Sequence, residues 1–143
     1  MNLNLQLKDF DKNIKFILVS FLITIGFGIF TGIVYLYYTT ESSPKGIIEH
    51  YKGTEDVSYE DWDNYLDKPM KTEKYLHDML ETTHTHVTSF AFISVLLGII
   101  FYFNSIISGK WKTFLIIEPF ISTLITFSSL WIMRYFNENF VYL

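Results

Sequence analysis

The sequence has no cysteine, no excess of basic residues, and no charge at all over long stretches. Without cysteine there is no disulfide framework, no thiolate metal site, no haem attached through a Cys-x-x-Cys-His motif and no cysteine nucleophile. Histidine and carboxylate are left as the strong ligands. Lys plus Arg number 11 against 15 Asp plus Glu, a net charge of −4. That balance argues against a nucleic-acid partner, which would call for a basic face. No phosphate-binding glycine loop, Gly-x-Ser-x-Gly elbow or His-Glu-x-x-His zinc motif is present either. The 143 residues allow one domain and hardly two.

The apolar residues are segregated from the charged ones. Phe16 to Thr40 is 25 residues without Asp, Glu, Lys or Arg. At about 1.5 Å per residue it reaches about 37 Å, enough to cross a hydrocarbon core of about 30 Å with some tilt. Thr82 to Gly109 is a second charge-free stretch, and Trp111 to Met133 is a third apolar stretch, in which Glu118 is the one carboxylate. The first run is too long, and lacks the small-residue cleavage site, for a signal peptide. The expected fold is all-α: an integral membrane helical bundle with transmembrane helices over 16–40, 84–107 and 113–136. The connections are an amino-terminal segment 1–15, an acidic helical segment 41–83, a short loop 108–112 and a tail 137–143.

Orientation follows from the lysines. Lys8, Lys12 and Lys15 precede the first span, and Lys110 and Lys112 lie between the second and third. The segment Glu41–Thr83 carries five Lys against eleven acids, a net of −6. The expectation is an amino terminus inside and the acidic segment outside, with Arg134 a mild counter-signal. Tyr35, Tyr37, Tyr38 and Trp111 suit the aromatic belts at the two interfaces.

Within the acidic segment, Ser43-Pro44 reads as an N-cap followed by Pro at the first helical position, with Gly53 as the stop. Tyr59, Trp62 and Tyr65 follow at intervals of three in an acidic run and read as a stripe docking on the membrane surface or on the chain's own helices. A second helix is expected to start near Thr72 and to run through Leu76, Met79, Leu80 and Thr83 into the second span.

The chemistry-bearing residues concentrate where that helix meets the membrane. His77, Glu81 and His84 are spaced i, i+4, i+7 and share one helical face. Two imidazoles and a carboxylate so placed suit a divalent transition metal with open positions. Glu-x-x-His is also half of a di-iron carboxylate pattern, so a di-iron site would require a homodimer. Haem b is the second possibility, with His84 or His86 as axial ligand and His50 as a distant partner. His84 and His86 lie about 200° apart on a regular helix, so they cannot both face one iron. The third is that both are interfacial histidines bonded to carbonyls or headgroups, and that His50 merely faces solvent. Glu118 is an intramembrane carboxylate if it faces a bundle interior; alternatively it caps a helix beginning at Pro119, with 111–117 along the interface. Gly28 and Gly32, with Gly26 nearby, form a small-xxx-small face for close helix packing.

Gly46-Ile-Ile-Glu-His-Tyr51-Lys-Gly53, Leu80-Glu81-Thr-Thr-His84-Thr-His86 and Trp131-Ile-Met-Arg134-Tyr-Phe together resemble a family of small, largely uncharacterised bacterial cytoplasmic-membrane proteins. The resemblance covers most of residues 20–143, and its most specific part is the Glu-x-x-His-x-His element at the start of the second span. It implies a bacterial inner-membrane protein in which Glu81, His84 and His86 matter, as an accessory of respiration or electron transfer. Members often carry another His deep in the second span, where this chain has Gly98-Ile99, and a fourth span beyond the position of Leu143. The first departure weakens an intramolecular bis-histidine haem. The second implies a shortened sequence or a partner chain that completes the bundle. Two functional expectations result: a haem- or metal-binding membrane subunit, and a non-catalytic accessory or assembly subunit of a larger complex or homo-oligomer.

Overall fold

A computed structural model describes residues 6–54 and 71–143. The stripe Tyr59, Trp62 and Tyr65 and most of the acidic run lie outside the described residues. Among the described residues there are four α-helices and no strand: α1 Lys12–Thr40, α2 Pro44–Lys52, α3 Leu76–Tyr102 and α4 Gly109–Tyr135. Two short 3-10 helices, Leu7–Asp9 and Glu138–Tyr142, flank them. Helices α1, α3 and α4 are each long and apolar enough to cross a membrane. Side chains such as Phe27 on α1 (72% exposed) and Phe92 on α3 (66%) stand open to the surroundings. In water each would forgo about 1.5–3 kcal/mol of burial, so the medium that suits these helices is hydrocarbon.

The chain divides into two compact units. The first comprises Met1–Thr31 with Thr85–Leu124. Here Asp11 caps α1, its Oδ1 accepting from the backbone N–H groups of Asn13 (2.7 Å) and Ile14 (2.9 Å). The Leu7 N–H donates to the Phe103 carbonyl at 3.2 Å. Phe10 meets Phe103 edge to face at 5.0 Å, so the amino-terminal turn sits on the α3–α4 connection. Lys112 Nζ donates to the Asn104 carbonyl at 2.7 Å and closes the same connection.

The second unit comprises Gly32–His84 with Ile125–Leu143. Met133 and Met79 are its buried apolar residues, with Thr40, Thr54 and Ser129 buried among them. Helix α1 ends where Glu41 and Ser42 adopt left-handed backbone (φ 52° and 50°). The turn lays α2 back on the end of α1. Ser43 accepts from the Gly46 N–H at 3.0 Å, Pro44 is the first helical residue, and Gly53 stops the helix at φ 85°, in agreement with the sequence. Gly46 is a requirement of contact: a Cβ there would lie 1.9 Å from the Thr40 carbonyl oxygen.

Two sequence expectations are corrected. The helix placed near Thr72 begins at Leu76, because 71–75 is drawn out by partners. Thr54 N–H donates to the Lys71 carbonyl (2.9 Å), Lys71 N–H to Thr54 Oγ1 (3.2 Å), and Lys74 N–H to the Tyr51 carbonyl (2.9 Å). Nor does a helix begin at Pro119: α4 starts at Gly109, with Pro119 inside it. Proline lacks the N–H that would reach the Leu115 carbonyl one turn back, a loss that membrane helices tolerate. One turn on, Thr123 Oγ1 donates to the Pro119 carbonyl at 2.7 Å.

Candidate functional site

The residues singled out by sequence fall on all four helices. His77, Glu81, His84 and His86 all lie on α3 and are exposed. His77 Nδ1 stands 3.7 Å from Asp78 Oδ1 and 4.0 Å from Glu81 Oε2. The i, i+4 spacing thus brings the imidazole and the carboxylate to ion-pair distance, as one helix face requires. His84 follows less than one turn beyond Glu81. The His86 ring instead faces Phe90, with centroids 6.1 Å apart. Among the described residues no group of three His, Asp or Glu side chains is gathered to hold a metal ion. His77, Glu81 and His84 are therefore not gathered as a three-ligand centre among the described residues.

His50, on α2, is half-buried, its ring edge-on to Tyr51 at 5.0 Å. Burial, followed by the ammonium groups of Lys74 and Lys71, lowers its pKa below the ordinary imidazole value. The environment favours a neutral ring. The same two lysines repel an incoming cation, whereas a neutral haem ligand meets no such penalty. Burial likewise raises the pKa of Tyr51, helped by Tyr35.

Glu118 lies inside α4 and accepts from Ser122 Oγ one turn on. That hydroxyl meets part of the hydrogen-bonding requirement of a carboxyl group at membrane depth. Gly26, Gly28 and Gly32 on α1 have no neighbour within 4 Å of where a Cβ would stand. The close helix approach expected at Gly28 and Gly32 is not made by the described residues of this chain.

Sequence reasoning missed the polar lattice around the ends of the helices in the second unit. Arg134, the one arginine of the chain, donates to Glu73 Oε2 at 2.9 Å and to the Lys74 carbonyl at 3.2 and 3.3 Å. Lys52 Nζ meets Glu138 Oε1 at 2.6 Å, and Lys71 Nζ donates to the Thr39 carbonyl at 2.9 Å. Trp131 Nε1 donates to Thr83 Oγ1 at 2.8 Å. Lys71 places a cation at the carboxyl end of α1, where the helix dipole is negative. The signal available in the sequence was Arg134 itself, a cation at the far end of a span and against the charge bias.

Comparison with known proteins gives one match. A family model described as a transmembrane helical domain matches residues 41–143, which takes in α2, α3 and α4. No curated protein and no solved structure matches.

Proposed function

Because the chain belongs to this transmembrane helical domain family, we propose that it is a non-catalytic accessory or assembly subunit of a larger complex in the bacterial cytoplasmic membrane. Its amino-terminal lysines are inside, and α2 and the acidic segment outside. The observation that carries this reading is α1. Among the described residues, none of its most apolar window is buried, and three glycines within seven residues have no neighbour within 4 Å of where a Cβ would stand. Glycine is among the poorer helix formers, at about 1 kcal/mol each relative to alanine. The return on that cost in a membrane is close approach of another helix. A second copy or another membrane subunit supplies it.

The test is the mass of the assembly purified in mild detergent. The expected result is a particle heavier than one chain, reduced to one chain by Gly28→Leu with Gly32→Leu while helical content is kept. A wild-type particle of a single chain refutes it.

A second reading is supported by the exposed pair His77–Glu81 with His84 beyond it. Here the subunit binds a divalent transition metal through His77, Glu81 and His84, or haem b through His84, His86 or His50, and serves respiratory electron transfer. The set is completed by another chain. Absorption spectroscopy and metal analysis of the natively purified complex decide it. A Soret band or stoichiometric metal that disappears with His84→Ala and His86→Ala supports it, and neither signal in the wild type removes it.

A further inference from the structure

The first unit contains an apolar groove of about 410 Å³ between α3 and α4, lined by Leu7, Ser94, Gly98, Asn104, Ile116 and Pro119 among others. Its walls follow α3 from Ser94 to Phe101 and end at Asn104 in the α3–α4 connection. The seven helical steps from Ser94 to Phe101 at about 1.5 Å each make about 10 Å, most of the depth of one leaflet, which is half of a hydrocarbon core of about 30 Å. Gly98 lines it without a side chain. A Cβ there would stand 3.5 Å from Ile116 Cγ2, an ordinary contact, and anything longer would extend into the groove.

One end of the groove is closed by Leu7 and Asn104, held by the Leu7–Phe103 backbone bond and by Lys112 on the Asn104 carbonyl. Five lysines lie on the segments that meet there: Lys8, Lys12 and Lys15 on the amino-terminal turn and the start of α1, Lys110 and Lys112 on the first turn of α4. Lys15 Nζ is bound to the Lys8 carbonyl at 2.7 Å, and Lys112 to Asn104. Lys12 Nζ lies 5.6 Å from the centre of the Phe16 ring. Lys8, Lys12 and Lys110 are exposed. The acids of this end are Asp9 and Asp11, each already accepting from backbone N–H groups. Five cations against two engaged carboxylates leave a net positive rim over an apolar slot.

We infer that this groove is a binding site for one anionic phospholipid of the leaflet on the lysine side, with an acyl chain along Gly98 and the phosphate among Lys8, Lys12 and Lys110. The apolar walls and a length of about 10 Å match part of an acyl chain. The lysine rim matches a phosphate, as basic sites between membrane helices do.

The full-length protein in neutral detergent is titrated with dioleoyl phosphatidylglycerol, dioleoyl phosphatidylcholine or glycerol phosphate, and bound molecules are counted by native mass spectrometry. One phosphatidylglycerol per chain is expected at concentrations where phosphatidylcholine is not retained, and glycerol phosphate should not bind at all. Combined Lys8→Gln, Lys12→Gln and Lys110→Gln should weaken phosphatidylglycerol by roughly fivefold per lysine, removing its advantage. Gly98→Leu, with helical circular dichroism unchanged, should abolish retention. Equal retention of the two lipids overturns the inference, as does an unchanged affinity in the lysine variant. So does lipid held by a folded Gly98→Leu protein, or a groove closed by a second chain that lipid does not displace. If Gly98→Leu fails to fold, the lipid comparison and the surface lysine variant decide the matter alone.

Discussion

Gly46→Ala distinguishes contact from propensity, because the two predict opposite signs. In an exposed helix the change to alanine gains up to about 1 kcal/mol through propensity. Here the new Cβ would stand 1.9 Å from the Thr40 oxygen, 2.6 Å from the Thr40 carbonyl carbon and 2.9 Å from Ser43 Oγ. All three belong to backbone or to the α2 cap, so none can swing away as the end of a long side chain would. The Thr40 oxygen also accepts from Ser43 N–H (3.1 Å) and Ser43 Oγ (3.2 Å). Displacing it forfeits about 1 kcal/mol per hydrogen bond, on top of an overpacking cost of about 1–3 kcal/mol. The expected net is a loss of about 2–4 kcal/mol, concentrated in α2. Amide hydrogen exchange of the detergent-solubilised protein reads it: protection across Pro44–Lys52 should collapse while α3 and α4 keep theirs. A variant with unchanged or increased α2 protection would show that α2 does not lie against the end of α1.

Arg134→Met should cost about 1–2 kcal/mol, the value of charged hydrogen bonds discounted for the half-exposed Glu73. The loss should appear as faster proteolysis of 71–75, and Arg134→Lys should restore only part of it, since lysine lacks the guanidinium fork. His50, with its folded pKa lowered, binds fewer protons than in the unfolded chain. Its contribution is therefore complete above about pH 6.5 and is lost as the pH falls below that value. Thermal unfolding between pH 7.5 and 5 should show this slope, and His50→Gln should flatten it. Trp131→Phe removes the bond to Thr83 Oγ1 and should lower stability by about 0.6–1.7 kcal/mol in a denaturation series.

What was legible depended on how local its causes are. The α2 boundaries could be read because Ser43, Pro44 and Gly53 act within a turn of themselves. The three spans could be read because hydrocarbon imposes one rule, absence of charge, on some twenty residues at a time. The start of α3 could not, because Lys71 and Lys74 are held extended by Thr54 and Tyr51, seventeen and twenty-three residues away. Pro119 misled for a different reason: in water it marks a helix start, whereas membrane helices tolerate it inside, as in α4. At the candidate site, spacing predicted that His77 approaches Glu81. It could not predict the partners of Arg134, sixty and sixty-one residues distant. The phospholipid groove was invisible for the same reason, since Gly98 reads as an unremarkable glycine until Ile116 stands opposite it.

The double link between Thr54 and Lys71 carries a consequence for engineering. Thr54 N–H and Oγ1 hold both backbone groups of Lys71, and Lys71 Nζ is in turn fastened to Thr39. Thr54 and Lys71 therefore hold the two flanks of the intervening stretch together, whatever its length. Closing a longer excursion costs only about 0.6 kcal/mol for each doubling of its length. This makes the stretch between the two residues a natural acceptor for an epitope, a protease site or a fluorescent domain. Such an insert would leave the hydrogen bonds on either side of it in place.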